Sequence, residues 1–278
     1  MLVGIAAAGR AVAWRSIAAL VVAVALQVGA NYANDYHDGV RGVDTERRAG
    51  PRRLVASGLA SPRAVLAAAL VCIGIAGAAG LALALSTSLW LVPLGALAMA
   101  ALWLYSGGPR PYAGLGLGEL SVFVFFGLMA TAGTAYVNAE RVSAAAWWAS
   151  VPMGLLTVAI LEANNVRDAP TDAAAGKRTL AVRIGPRAAR GLYRGLVVGA
   201  YAVVVSGVLV GIAAPGRALP MWALLALASW PIAIRPMERI GTAEGTQLVP
   251  VLVDTSLLTV AFGVLLALGL WIGGATAA

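Results

Sequence analysis

Eight mostly apolar stretches of 17 to 22 residues recur along this 278-residue chain. They fall at about 16–34, 64–85, 89–105, 119–138, 146–166, 192–213, 219–235 and 252–273. As a helix, a stretch of that length spans most or all of the ~30 Å hydrocarbon core of a bilayer. Inside lipid a backbone must satisfy its own hydrogen bonds, so runs this long read as helices. The expected fold class is therefore all-α: a multi-pass transmembrane helical bundle with eight full spans. The balance of 60% hydrophobic to 12% charged residues agrees, since soluble domains carry ~25% charged residues. An ordinary soluble enzyme, a nucleic-acid reader and a disordered tail are excluded. Residues 1–8 (MLVGIAAA) are too short to cross, and no basic stretch precedes them as it would in a signal peptide. The single cysteine, Cys72, and the single histidine, His37, exclude disulfides and any cysteine or multi-histidine metal site.

Charge sorts the connecting segments. If the spans alternate, segments 35–63, 106–118, 167–191 and 235–251 share one side. With the adjoining helix ends they hold 16 of the 20 basic residues; Arg10, Arg15, Arg141 and Arg217 make up the other four. That bias assigns the basic group to the cytoplasm, and the net charge of +8 reflects cationic loops, with no nucleic-acid partner implied.

Two of these segments are unusually long and polar: NYANDYHDGVRGVDTERRAGPRRLVASGLASPR at 31–63 and EANNVRDAPTDAAAGKRTLAVRIGPRAAR at 162–190. Each leaves the cytoplasmic end of a span and carries Asn before Asp, a second Asp, then Gly with basic residues. Such weak internal duplication often marks a site in a membrane protein. In the first, Gln27, Asn31, Asn34, Asp35 and Asp38 form a polar stripe that begins two turns inside an apolar helix. Intramembrane polar groups are costly and default to function. In the second, Asn164, Asp168 and Asp172 are spaced i, i+4, i+8, one helix stripe provided the helix continues past Pro170; a break near Ala169 is the equal alternative. Asn165 and Glu162 flank it.

Asp35, Asp38, Asp168 and Asp172 would repel one another unless a cation lay among them. Hard oxygen donors without His or Cys suit Mg²⁺, and Arg41, Arg47, Arg53, Lys177 and Arg178 suit a polyanion. Together they read as a metal-bridged diphosphate site. A third loop, YSGGPRPYAGLGLGE at 105–119, is too rich in Gly and Pro to be helical through its first half. It offers Tyr105, Arg110, Tyr112 and Glu119, or it is a plain turn. Trp103, Phe123, Phe125 and Phe126 either flank a cationic hydrocarbon intermediate or face lipid. His37 reads as a solvated side chain rather than a base.

These motifs resemble the UbiA superfamily of membrane-embedded aromatic prenyltransferases. The resemblance rests on NDYHDGVRGVD (34–44) and NNVRDAPTDAAAGKRTLAVRIG (164–185) and covers nearly the whole chain. Within the superfamily it is nearest the branch acting on 1,4-dihydroxy-2-naphthoate, through the stretch ending at Pro51, YSGGPRPYAGLGLGE followed by VFVFFG, and the second motif. The branch that uses 4-hydroxybenzoate carries a Tyr/Lys signature in the third loop, whereas here Tyr105-Ser106-Gly107-Gly108-Pro109 has no lysine.

The resemblance implies one membrane-embedded prenyltransferase domain over 1–278 in the bacterial plasma membrane, with its site at the cytoplasmic end. It implies transfer from a polyprenyl diphosphate to 1,4-dihydroxy-2-naphthoate with loss of CO₂, giving demethylmenaquinone. Asp35, Asp38, Asp168 and Asp172 are the implied Mg²⁺ ligands, and Tyr105 is implied with them in catalysis. Asn31, Asn34, Asp44, Arg47, Arg53, Arg110, Asn164, Asn165, Lys177 and Arg178 are expected to bind substrates. The family has nine spans and a basic, proline-containing lead-in, so this chain is expected to enter within the first helix. Other aromatic acceptors, such as 4-hydroxybenzoate, remain the nearest alternative. A transporter for an organic anion would share the apolar helices, but its site would lie near the midplane, and here all four aspartates lie at one border.

Overall fold

The computed structural model describes residues 1–43 and 52–276. Among them every regular element is helical: α1 Leu2–Ala8, α2 Ala13–Val40, α3 Pro62–Ser86, α4 Leu91–Ser106, α5 Gly118–Val122, α6 Ala130–Ala139, α7 Ala144–Ala174, α8 Leu180–Ile184, α9 Pro186–Ala213, α10 Trp230–Arg239 and α11 Val249–Thr276. A π-helical stretch, Phe123–Met129, joins α5 to α6, and 3₁₀ turns cover Tyr112–Leu115, Met221–Ser229 and Gly245–Leu248. Each of the eight apolar runs coincides with helix. Among the described residues six segments are long and apolar enough to cross a membrane: Ala13–Val40, Pro62–Ser86, Gly118–Ala139, Ala144–Ala174, Pro186–Ala213 and Gly245–Gly274. The other two runs are shorter or irregular. Leu91–Ser106 has 16 residues, and Met221–Arg239 starts as a 3₁₀ turn before it becomes α10.

The distribution of side-chain size is that of a protein in lipid. Buried positions are mostly small, including Ala33, Ala69, Ala149, Ala159, Ala163 and Ala200. Large apolar side chains lie outside: Ile17, Leu20 and Val24 on α2, Leu70, Val71 and Leu85 on α3, and Leu257, Val260 and Trp271 on α11. Small residues let helices approach closely, and an apolar exterior costs nothing against acyl chains.

Two compact units are formed. One comprises Met1–Ser16, Glu119–Asn164 and Arg187–Ala278. Here α1 packs on α6 and α11, and α11 packs on α10 and the Met221–Ser229 turn. Gly127 meets the backbone of Gly154, an approach that a Cβ would block. Tyr193 Oη and Thr255 Oγ1 are 2.6 Å apart in the interior, and Tyr201 Oη lies 2.8 Å from Ser229 Oγ. Arginines hold the α10–α11 connection: Arg190 donates to the carbonyls of Gly241 and Ala243, and Arg194 to that of Met237. Arg235 and Arg239 pair with Asp254 at 3.8 and 3.5 Å. At the start of α2, Arg15 pairs with Glu140 at 2.8 Å, and buried Asn138 accepts from Val12 N–H and Ser16 Oγ.

The second unit comprises Ile17–Gly118 and Asn165–Pro186. It holds the remainder of α2, then α3 and α4, which pack on each other, and the end of α7. α3 begins where Ser61 accepts from Ala64 N–H at 3.3 Å and Pro62 takes the first helical position, where its missing N–H costs nothing. α7 runs through Pro170 to Ala174, so the break near Ala169 does not occur and the Asn164–Asp168–Asp172 spacing is kept on one helix.

Candidate active site

The polar site in the second unit is built from three chain segments: the end of α2, the end of α7 with the turn after it, and the glycine-rich loop that follows α4. α2 stays helical to Val40, which places Asn34 and Asp38 on one face. Asp35 and Asp38 are both buried, at 5% and 7% exposure. Their carboxylates have different partners. Asp35 accepts two backbone N–H groups, Leu54 to Oδ2 at 2.8 Å and Val55 to Oδ1 at 3.0 Å. It therefore pins the segment that returns toward α3. Gly39 allows this return, because a Cβ there would lie 2.6 Å from Val55 Cβ. Asp38 Oδ2 instead accepts from Lys177 Nζ at 3.2 Å.

Lys177 reaches Asp38 because of how α7 ends. Gly176 adopts a left-handed backbone (φ 74°), and the Lys177 N–H bonds back to the Asp172 carbonyl at 2.8 Å. Glycine takes this conformation at no steric cost. One turn earlier, Asp168 is buried and held bidentately by Arg167, at 2.7 Å from Nε and 2.8 Å from Nη2. Asp172 is half-buried in the last turn of α7.

The glycine-rich loop is a built structure. Tyr112 Oη donates to the Ala101 carbonyl at 2.7 Å, and the rings of Tyr105 and Tyr112 meet edge-on at 5.5 Å. Gly118 lies against the Tyr105 hydroxyl. His37 is not a solvated side chain. Its ring packs edge-on against Trp103 at 4.8 Å and against Tyr36 at 5.1 Å, and Gly107 sits so close that a Cβ would lie 2.7 Å from His37 Nε2.

A cavity of about 250 Å³ lies where the three segments meet, lined among others by Asp38, Arg41, Tyr105, Arg110, Gly114 and Lys177. Asp38, Tyr105, Arg110 and Lys177, expected from the sequence, thus share one cavity. Other expected residues stand apart from it. Asn31 is exposed and donates to the Gln27 carbonyl at 3.0 Å. Arg178 is exposed, and Arg53 and Asn165 are half-buried. Asn164 belongs to the first unit. Asp44 and Arg47 lie outside the described residues.

Among the described residues no three His, Cys, Asp or Glu side chains are grouped closely enough to hold one ion. The donor chemistry nevertheless suits a hard cation. Asn34 Oδ1 is buried without a hydrogen-bond partner, one turn before Asp38 on the same face, and an amide oxygen beside a carboxylate is a typical hard donor pair. Two acidic residues are buried away from this cavity. Glu162 is fully buried, and Glu119, 8% exposed, is its neighbour in the first unit. The sequence showed them only as a flank of the second motif and a helix start.

Residues 1–239 match the UbiA prenyltransferase family, and the chain belongs to that family. A 1,4-dihydroxy-2-naphthoate octaprenyltransferase of Mycobacterium tuberculosis is 48% identical over 248 residues, 89% of this chain and 82% of the relative. The enzyme of the same name from Mycobacterium leprae is 45% identical over 95% of this chain and 87% of the relative. In fold, the chain resembles a UbiA homolog from Archaeoglobus fulgidus bound to DMAPP and Mg²⁺, with a TM-score of 0.61 at 14% identity, covering 95% of this chain and 94% of that one.

Proposed function

We propose that this protein transfers a polyprenyl chain from polyprenyl diphosphate to 1,4-dihydroxy-2-naphthoate, with loss of the acceptor's carboxylate, in menaquinone biosynthesis. The observation that carries the reading is the cavity in which Asp38 and Lys177, one from each aspartate motif, meet Tyr105 and Arg110 of the glycine-rich loop. The high identity to two enzymes named for that reaction supports the choice of acceptor. The family match begins in one compact unit and runs through the other, which supports a single prenyltransferase domain. The split of basic residues supports a site on the cytoplasmic side of the plasma membrane.

In this reading Asp38 with the Asn34 amide oxygen on α2, and Asp168 and Asp172 on α7, would bind Mg²⁺ together with the diphosphate oxygens, since among the described residues no three acidic side chains lie close enough to hold an ion by themselves. The ion, when bound, neutralises the diphosphate and makes it a better leaving group. Asp35, with a backbone N–H on each oxygen, shapes the site. Lys177, held by Asp38 in the cavity, stabilises the charge that builds on the departing diphosphate. Cleavage of the allylic C–O bond leaves a carbocation that the apolar helices keep from water. Arg110 takes the acceptor's carboxylate and Tyr105 orients its hydroxyl. The ring carbon bearing the carboxylate attacks, forming the C–C bond. That carbon has no proton to lose, so aromaticity returns as the C–C bond to the carboxyl breaks and CO₂ departs. The lipid product leaves sideways between helices.

Purified protein given a polyprenyl diphosphate, 1,4-dihydroxy-2-naphthoate and Mg²⁺ tests the reading. A product with the mass of the prenylated, decarboxylated naphthoquinone is expected, and EDTA should abolish it. Robust prenylation of 4-hydroxybenzoate with its carboxyl retained, and none of the naphthoate, would reassign the acceptor.

A further inference from the structure

We propose that Arg41 is a positioning residue that holds the glycine-rich loop in its acceptor-binding shape, and that it does not bind the donor diphosphate. By sequence Arg41 belongs with the cations suited to a polyanion. In the structure its guanidinium is engaged elsewhere. Nη1 donates to the Ser106 carbonyl at 2.7 Å and Nη2 donates to the Gly108 carbonyl. The first belongs to the last residue of α4, where helix carbonyls lack intrahelical partners, and a cation there also meets the negative end of the helix dipole; the second belongs to the loop two residues on.

The two carbonyls bracket Gly107, whose α-carbon is wedged between the Trp103 carbonyl and His37; a Cβ would lie 2.5 Å from the first and 2.7 Å from the second. Gly108 then turns with a left-handed backbone (φ 77°). So the end of α2 and the turn that follows it grip the start of the loop twice, with the His37 ring and with the Arg41 fork. Tyr105 precedes the first gripped carbonyl by one residue, and Arg110 follows the second by two. Both line the cavity with Asp38 and Lys177. Asp38 and Lys177 are held to each other without Arg41. Loss of the fork should therefore loosen the loop half of the cavity and leave the aspartate half in place.

The inference rests on the prenyl-transfer reading, and the test separates the two. Arg41→Lys and Arg41→Ala are compared with the unmodified protein for the KM of each substrate. The expected result is an acceptor KM raised by roughly 10- to 100-fold, because a misplacement of about 1 Å costs that order, with the donor KM within about twofold. Lysine should rescue poorly, because an ammonium cannot present a planar fork to two carbonyls. A raised donor KM with an unchanged acceptor KM, or full rescue by lysine, would show that Arg41 acts as a diphosphate cation and overturn the proposal. Hydrogen–deuterium exchange over 105–117 gives a readout that needs no turnover. Exchange there should rise in Arg41→Lys. Unchanged exchange would overturn the clamp, whereas faster exchange in a protein inactive toward the naphthoate would leave the clamp standing and sink the functional reading alone.

Discussion

Asp35 and Asp38 lie three residues apart on α2, yet their hydrogen bonds give them different roles. Asp35→Asn replaces one acceptor oxygen with a donor, so either Leu54 or Val55 loses the partner of its N–H. A buried donor left unsatisfied costs about 1–3 kcal/mol, and a lowered unfolding midpoint in detergent is expected. Asp38→Asn removes a charge from the diphosphate site without orphaning a backbone group. It should keep its unfolding midpoint and lose about 10²-fold or more in kcat at saturating Mg²⁺. Equal stability losses in the two variants would contradict this division. The shared face of Asn34 and Asp38 was legible in the sequence, because helical spacing alone sets it. The roles of Arg41 and Arg167 were not. An arginine near aspartates reads as a phosphate ligand, and the two carbonyls that Arg41 grips are 65 and 67 residues away along the chain.

At the scale of the elements, backbone approach decides which glycines tolerate change. Gly127, in the π-helical stretch, meets Gly154 directly, whereas Gly133 on α6 has open space around its missing side chain. Gly127→Ala should lower stability by about 1–3 kcal/mol through overpacking. Gly133→Ala should be neutral or stabilise by up to about 1 kcal/mol, since alanine is the better helix former. Thermal unfolding of the two variants checks the contrast, and indistinguishable midpoints would contradict the contact. The positions of the helices were legible because apolar runs in lipid have few other conformations open to them. Their internal form was not. Hydropathy does not register the 3₁₀ turn after Pro220 or the π-helical stretch at Phe123–Met129. Nor does a proline state whether its helix ends, and α7 continues through Pro170.

Over the whole molecule the basic residues serve two purposes. The sixteen-to-four split is the basis for the proposed orientation, but Arg190, Arg194, Arg235 and Arg239 are engaged in holding the α10–α11 connection. Net charge alone therefore overstates the cation available to a polyanion. Orientation is checked by replacing Cys72 and placing single cysteines at Arg141 or Arg183. An impermeant reagent outside the cell should label position 141 and spare 183, and the reverse would invert the topology. The central claim is that prenyl transfer and loss of the acceptor's carboxyl are one event. With 1,4-dihydroxy-2-naphthoate labelled at the carboxyl carbon, labelled CO₂ and diphosphate should appear in equal amounts and at the same rate. Diphosphate release with the label retained in the prenylated product would contradict it.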